Sequence, residues 1–327
     1  MTSPAGLREA RAAVRLGIIT PGRKRLFFGA MLLLGLVLPQ LVYPVFLMNV
    51  LCLALFASAF NLLLGYTGLL SFGHAAFLGT AAYVAGWAMK AWGFTPELGV
   101  LAGTAAAALL GWLFGALAIR RSGIYFAMIT LGFAQMVYFL AIQLPFTGGE
   151  DGLQGIPRGR LLGLVPLEHR EAMYLFVYGV FLLGFFAIYR VIHSPFGHVL
   201  RAIRENEARA LSLGYDVDRY KRIAFVLSAA LAGLAGATKA LVLQFATLTD
   251  LHWHTSGEVV LMTLLGGMGT VMGPSVGALI IVTMENYLSG VGDWVTVIVG
   301  AVFVVGVLAF RRGLVGEALR VLRRFPF

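Results

Sequence analysis

Charge is scarce in this chain: Asp, Glu, Lys and Arg together make up 12% of its 327 residues, about half the share that water-soluble domains carry. Beside 59% apolar residues, so little charge cannot clothe a soluble surface, and the chain reads as an all-α polytopic membrane protein. Cysteine is nearly absent. The single example, Cys52, lies in an apolar tract, which excludes a disulfide framework and a cysteine metal centre and leaves a small core hydrophobe. No G-x-x-x-x-G-K-[ST] occurs, and the glycine run from Gly266 to Gly273 has no Lys to reach phosphates. H-E-x-x-H is missing too, and His-Trp-His at 252–254 reads as an interfacial aromatic site rather than a metal site. The expectation is a non-catalytic chain with no metal or cofactor of its own. None of the 15 acidic residues falls near the middle of an apolar tract. Carriers driven by ion gradients place carboxylates there despite a cost of about 2.5–3.5 kcal/mol or more, so the energy source is expected outside the bilayer.

What is abundant is apolar length. Tracts run over residues 26–43, 45–64, 72–89, 98–119, 124–144, 172–189, 223–245, 259–284 and 291–310, most of them near the ~20 residues that a spanning helix needs. The net charge of +10 might suggest nucleic acid, but its distribution argues for membrane orientation. With the N-terminus inside, 20 of the 25 Lys and Arg fall on the cytoplasmic side, as the positive-inside rule requires. Nine simple spans would then strand the basic tail, Arg311 to Arg324, outside. One tract must therefore enter and leave by the same face, and 259–284 is the best choice, because Gly266, Gly267, Gly269, Gly273 and Pro274 break helices. The alternative is a miscounted tract near Pro39 and Pro44. The reading is about 8–10 transmembrane segments with discontinuous or re-entrant helices, N-in and C-in. Residues 1–25 form a basic cytoplasmic leader, 26–310 one transmembrane domain, and 311–327 a basic cytoplasmic tail.

A second glycine-punctuated stretch, Gly65 to Ala76, joins two tracts without a charged linker. Such breaks mark substrate paths in transporters, though close packing through small residues explains them equally well. The most charged stretch, Ser194 to Arg222, separates two long tracts. Wheel positions along one continuous helix put Leu200, Ile203, Ala210 and Leu211 on one stripe with Glu207 inside it, and Arg201, Arg204, Glu205 and Arg209 on the other side. That pattern suits seating in a partner's groove, or a solvated loop held by ion pairs.

Four blocks carry a family resemblance: NLLLGYTGLLSFGHAAFLGTAAYVAG at 61–86, TGGEDGLQGIP at 147–157, SPFGHVLRAIRENEARALSLGYDVDRYKRIAFVLSAALAGLAGA at 194–237, and SGEVVLMTLLGGMGTVMGPSVGALI at 256–280. The chain resembles the permease subunits of branched-chain amino acid ABC importers, the LivM-like branch. The resemblance implies a bacterial inner-membrane subunit that works with a second related permease, two cytoplasmic ATP-binding subunits holding ATP and Mg, a periplasmic binding protein and membrane lipid, and with no nucleic acid. It implies that 194–222 is the cytoplasmic coupling loop, with Arg201, Arg204, Glu205, Asn206, Glu207, Ala208 and Gly214 as its ATPase-coupling residues, Gly214 closing the helix. Asn61, Gly68, Ser71, Gly73, His74, Gly266, Gly267 and Gly269 are the expected path residues. Interhelical hydrogen bonding is the competing account of Asn61 and His74. Residues 145–171 form the expected periplasmic loop, with Thr147, Gly148, Gly149, Asp151 and Gly152 at a gate or docking surface or serving only as ordered turns. Lys239, well inside a tract, is expected to snorkel outward or to pair with Glu258. Urea or short amides are the alternative cargo, and a stand-alone secondary carrier or channel is the alternative class.

Overall fold

A computed structural model describes residues 35, 37–40, 42–288, 290, 292, 294–310 and 313–324. The chain divides into two compact units, 1–44 and 45–327. In the first, residues 37–40 are helical and the Val42 amide donates to the Leu38 carbonyl at 3.0 Å. The expected leader, 1–25, and most of the first tract lie outside the described residues.

The second unit is built of helices. Four come first: α1 (Pro44–Thr67), α2 (His74–Ala91), α3 (Pro96–Ala118) and α4 (Ile124–Gln143). An irregular segment follows with two 3-10 turns, Pro145–Thr147 and Gly149–Asp151, and short strands β1 (Leu153–Gln154), β2 (Arg160–Leu161) and β3 (Val165–Pro166). Next are α5 (Arg170–Ile192), α6 (Pro195–Glu205), α7 (Glu207–Ser212) and α8 (Val217–Leu243). Strand β4 (Phe245–Ala246) leads to α9 (Trp253–Gly266), α10 (Gly273–Leu288), α11 (Trp294–Ala309) and α12 (Gly313–Arg324). Among the described residues, six helices are long and apolar enough to cross a membrane. That is fewer than the expected 8–10 segments, because α9 and α10 are half-length pieces, α2 is not among the six, and residues 26–34 lie outside the described residues.

The core is organised around α1, in which 18 of 24 residues are buried, as expected of a helix that is apolar all round. Small residues let the next layer close. Gly103, Ala107 and Gly111 of α3 face Ala237, Gly233 and Ala229 of α8, so the two run antiparallel, and a Cβ on Gly103 would meet the Ala81 carbonyl of α2 at 2.5 Å. This is the small-residue seam by which membrane helices approach. Outward faces stay apolar: Leu109, Leu117, Ile124, Met128 and Leu308 are all exposed, and no aqueous surface would favour that arrangement. Cys52 is buried.

The hairpin inferred from parity is present. Gly266 packs on Gly273, and Gly277 on the Met262 carbonyl, so α9 and α10 run antiparallel and their open ends lie together. At 1.5 Å per residue they are about 21 and 24 Å long, short of the ~30 Å hydrocarbon core. Gly313, at the start of α12, packs against Gly267 at the apex.

Candidate functional site

The charged insert folds as three capped pieces. Ser194 caps α6 by accepting from the Gly197 amide at 3.4 Å, with Pro195 at the first helical position. Asn206 caps α7 by accepting from Arg209, and Asp216 caps α8 by accepting from Arg219. Short polar side chains compete for backbone donors in this way. The one continuous helix expected here is thus broken at Asn206, whose backbone is extended at φ −158° and ψ 100°. The break rotates the second half, so Ile203 and Ala210 are buried together with Val217 and Leu200 is buried apart from them, but Leu211 is 56% exposed and leaves the stripe. Gly214, at φ +85°, ends α7: its amide donates to the Leu211 carbonyl at 2.9 Å and the Tyr215 amide to Ala210 at 3.2 Å, a Schellman closure.

Two arginines expected on the side away from the apolar stripe reach back to neighbouring helices, Arg204 while still exposed. Arg204 donates to the Gly65 carbonyl in the last turn of α1, and the Arg201 guanidinium lies 5.3 Å over the Tyr66 ring while donating to the Ile192 carbonyl at 3.0 Å. Cations suit a helix C-terminus, where carbonyls lack intrahelical partners. Glu207 points to α8, where its Oε1 is 2.7 Å from Lys221 Nζ. Glu205, Asn206, Ala208 and Arg209 remain exposed.

Both glycine-broken segments meet this point. A Cβ on Gly68 (φ +77°) would lie 3.2 Å from Arg204 Cγ, and one on Gly269 (φ +77°) 3.2 Å from Arg204 Nη1 and 3.3 Å from the Gly65 carbonyl. Left-handed backbone and this crowding both call for glycine. Asn61 fastens the apex to α1: its Nδ2 donates to the Thr270 carbonyl at 2.8 Å, and its Oδ1 accepts from the Gly269 amide at 2.9 Å. Ser58 and Ser275 add a contact at 3.3 Å. Gly273 to Gly277 spells G-x-S-x-G, but Ser275 lies in a helix against Ser58, not on the strand-to-helix elbow of a nucleophilic serine.

The remaining path candidates group apart, at the start of α2. His74 is buried with Nε2 2.9 Å from Ser228 Oγ, which donates to the Ala59 carbonyl at 2.6 Å. Phe60, Phe77 and Phe225 set their ring edges around it. Ser71, Thr130 and Ser256 accept from the amides of Gly73, Phe72 and Ala75, satisfying the unwound turn from within the bundle. Asn61, Ser71, Gly73, His74, Gly266 and Gly267 are buried, whereas Gly68 and Gly269 reach the surface or its edge. Sequence reasoning missed Tyr66, Lys221, Ser228 and Ser256. For Tyr66 and Ser228 the usable signal was a lone polar group in an apolar run, whereas Lys221 and Ser256 sit among other polar residues and carried none.

At the opposite end of α8 lies the segment expected outside, built of 3-10 turns and short strands. Buried Thr147 donates to the Leu144 carbonyl at 2.5 Å, Gly148 and Gly152 take left-handed turns, and Asp151 is exposed. Strand β1 pairs antiparallel with β4, Leu153 opposite Ala246 and Gln154 opposite Phe245. Nearby, Lys239 Nζ lies 2.6 Å from Asp250 Oδ1, so the pairing expected with Glu258 goes to Asp250 instead. Asp250 sits on a 3-10 turn packed against Gly79, while Glu258 meets His254 Nδ1 at 3.1 Å.

Comparison with known proteins places this geometry. The family described as branched-chain amino acid transport system / permease component matches residues 45–307. The high-affinity branched-chain amino acid transport system permease protein LivM of Escherichia coli K12 is 28% identical over 282 residues, 78% of this chain and 65% of that protein. The ribose import permease protein RbsC of Bacillus subtilis 168 is 32% identical over 197 residues, covering 55% and 58% of the two chains. The autoinducer 2 import system permease protein LsrC of Klebsiella pneumoniae is 29% identical over 161 residues, covering 46% and 44%. The chain thus spans about two thirds of the length of the LivM proteins it matches, and no solved structure matches it. With a match over most of its length and an all-helical, membrane-crossing fold, the chain belongs to the family of branched-chain amino acid transport permease components.

Proposed function

We propose that this chain is the permease subunit of a binding-protein-dependent ABC importer in a bacterial inner membrane, carrying branched-chain amino acids. It would pair with a second related permease and two cytoplasmic ATP-binding subunits. The observation that carries the reading is the two-sided insert. Glu205, Asn206, Ala208 and Arg209 are open to a partner, while Arg204 of the same insert holds the Gly65 carbonyl beside Gly269 at the hairpin apex. A push on α6 and α7 therefore reaches both glycine breaks with no intervening element. Transport needs no chemistry on the cargo, so the chain's task is to change which face is open. Amino acids are favoured over the cargoes named for the ribose and autoinducer 2 relatives, because the LivM match covers 78% of this chain against 55% for the ribose permease and 46% to 69% for the autoinducer 2 permeases. The outer segment from Thr147 to Gly152 would serve as the gate or docking surface for the binding protein. Gentle solubilisation of native membranes followed by mass spectrometry tests the assembly. A second permease and nucleotide-binding subunits should co-purify. Recovery of the chain alone, stable and monodisperse, would overturn the reading in favour of a self-contained carrier.

A further inference from the structure

Helix α8 is held at both ends by side chains from elsewhere in the chain. It runs 27 residues from Val217 to Leu243, about 40 Å at 1.5 Å per residue, without a proline. At the inner end, Lys221 is buried and paired with Glu207, Tyr220 stacks on Phe196 of α6 with ring centroids 5.5 Å apart, and Val217 joins the cluster of Ile203 and Ala210. Along its middle, Ala229, Gly233 and Ala237 lie against small residues of α3. Small residues bring the two backbones close, and nearer the inner end Phe225 is buried among His74, Phe77 and Phe126, so α8 is packed as one piece along its length.

The outer end is gripped by the segment after β1. Arg158 Nη2 donates to the Val242 carbonyl at 2.8 Å, and the Ile156 amide donates to the Gln244 carbonyl at 3.0 Å. Helix C-terminal carbonyls lack intrahelical partners and favour cations, so Arg158 both satisfies the last turn and complements its dipole. Gln244 closes the helix in the left-handed region at φ +61°, a conformation that costs a non-glycine residue energy and persists where the surroundings enforce it. Ile156 is fully buried, and a Cβ on Gly86 of α2 would lie 2.5 Å from its Cδ1. Its neighbours Asp151, Gln154, Gly155 and Pro157 are exposed. An open outer surface is therefore bolted to one end of α8, and the charged insert to the other.

We infer that Arg158 is a positioning residue that fastens the outer segment to the C-terminus of α8, making α8 the strut through which a protein docked outside and a motor docked inside sense one another. The inference rests on the importer reading above. Binding linkage is reciprocal, so a strut that couples the two ends makes docking outside and nucleotide binding inside favour or oppose one another equally, and hydrolysis reports the inward arm of that coupling. The outer partner is a protein, since the exposed loop offers backbone turns and single polar side chains around an open hollow of about 360 Å³ lined by Gln154, Gly155, Gln244, Phe245 and Thr247, which suits an inserted side chain or loop rather than an enclosed small molecule.

The test uses the complete complex in proteoliposomes and reads ATP hydrolysis with and without the substrate-loaded binding protein. In R158Q, assembly and basal hydrolysis should stay within about twofold of the parent, while the stimulation by binding protein falls at least fivefold; R158K, which keeps one cation at the carbonyl, should recover part of it. Gln154→Cys with Phe245→Cys, across a register pair, supplies the second variant. Oxidised in the R158Q background, this pair should re-fasten the segment and restore stimulation, which reduction removes again. Parental stimulation in R158Q, or an oxidised pair that assembles yet stays unstimulated, overturns this inference alone. A parent complex without ATP hydrolysis overturns it together with the importer reading.

Discussion

Replacing Glu207 by Gln probes how the insert is held to the bundle. Glu207 Oε1 lies 2.7 Å from Lys221 Nζ, with the Lys221 side chain 4% exposed and that of Glu207 45% exposed. Removing the carboxylate leaves a buried ammonium facing a neutral amide. Severing a fully buried pair costs about 3–5 kcal/mol, whereas exposed pairs are worth about 0–1 kcal/mol. With one partner buried and the other half in water, about 1–2 kcal/mol follows, a factor of about 5–30 in the balance between docked and undocked α7. Ala210, buried in α7, supplies the reporter. In an Ala210→Cys background, maleimide labelling should accelerate by that same factor of about 5–30 in E207Q, provided that local opening precedes labelling as a fast equilibrium. Adding Lys221→Met should return labelling toward its starting rate, because an apolar chain at that site leaves no charge unpaired. Unchanged labelling in E207Q, or a double variant that labels faster than either single one, would refute the reasoning.

Three further outcomes follow from the packing. Asn61→Ala removes both hydrogen bonds that hold the hairpin apex, to Gly269 and Thr270, and leaves two half-buried backbone groups to find water; a loss of about 1–2 kcal/mol should appear as a melting temperature lower by roughly 2–8 °C in detergent. Gly277→Ala drives a methyl into the Met262 carbonyl and should abolish recovery of monodisperse protein, whereas Gly132→Ala, with nothing within 4 Å in the interior of α4, should leave stability unchanged or raise it by up to about 1 kcal/mol. Lys239→Met and Asp250→Asn should each destabilise through the partner left behind, and the double variant should melt above the weaker single one.

The hairpin was legible because it rests on two local signals, a basic tail that must lie inside and a cluster of helix-breaking residues around Gly266 to Pro274. The caps of the insert were legible in principle as well, since Ser194, Asn206 and Asp216 are all cap-forming types. Asn206 was nevertheless read as helix interior, and the wheel carried through it put Leu211 on the wrong face. The reach of Arg201 and Arg204 back to neighbouring helices had no sequence signal, because it depends on where the last turn of α1 stands in space. The same holds for Lys239, which has acidic residues at two nearby positions and takes the one that the 3-10 turn delivers. Small residues at spacings of four in α3 and α8 announced close packing but not with whom.

How transport is energised is measured directly by uptake into proteoliposomes that hold the complete complex. Labelled branched-chain amino acid, delivered with its binding protein, should accumulate only when ATP is available on the face bearing the insert, and accumulation should survive ionophores that collapse proton and sodium gradients. Accumulation without ATP that rises with an imposed ion gradient would contradict the central claim and leave Arg204 and its neighbours as a stabilising loop.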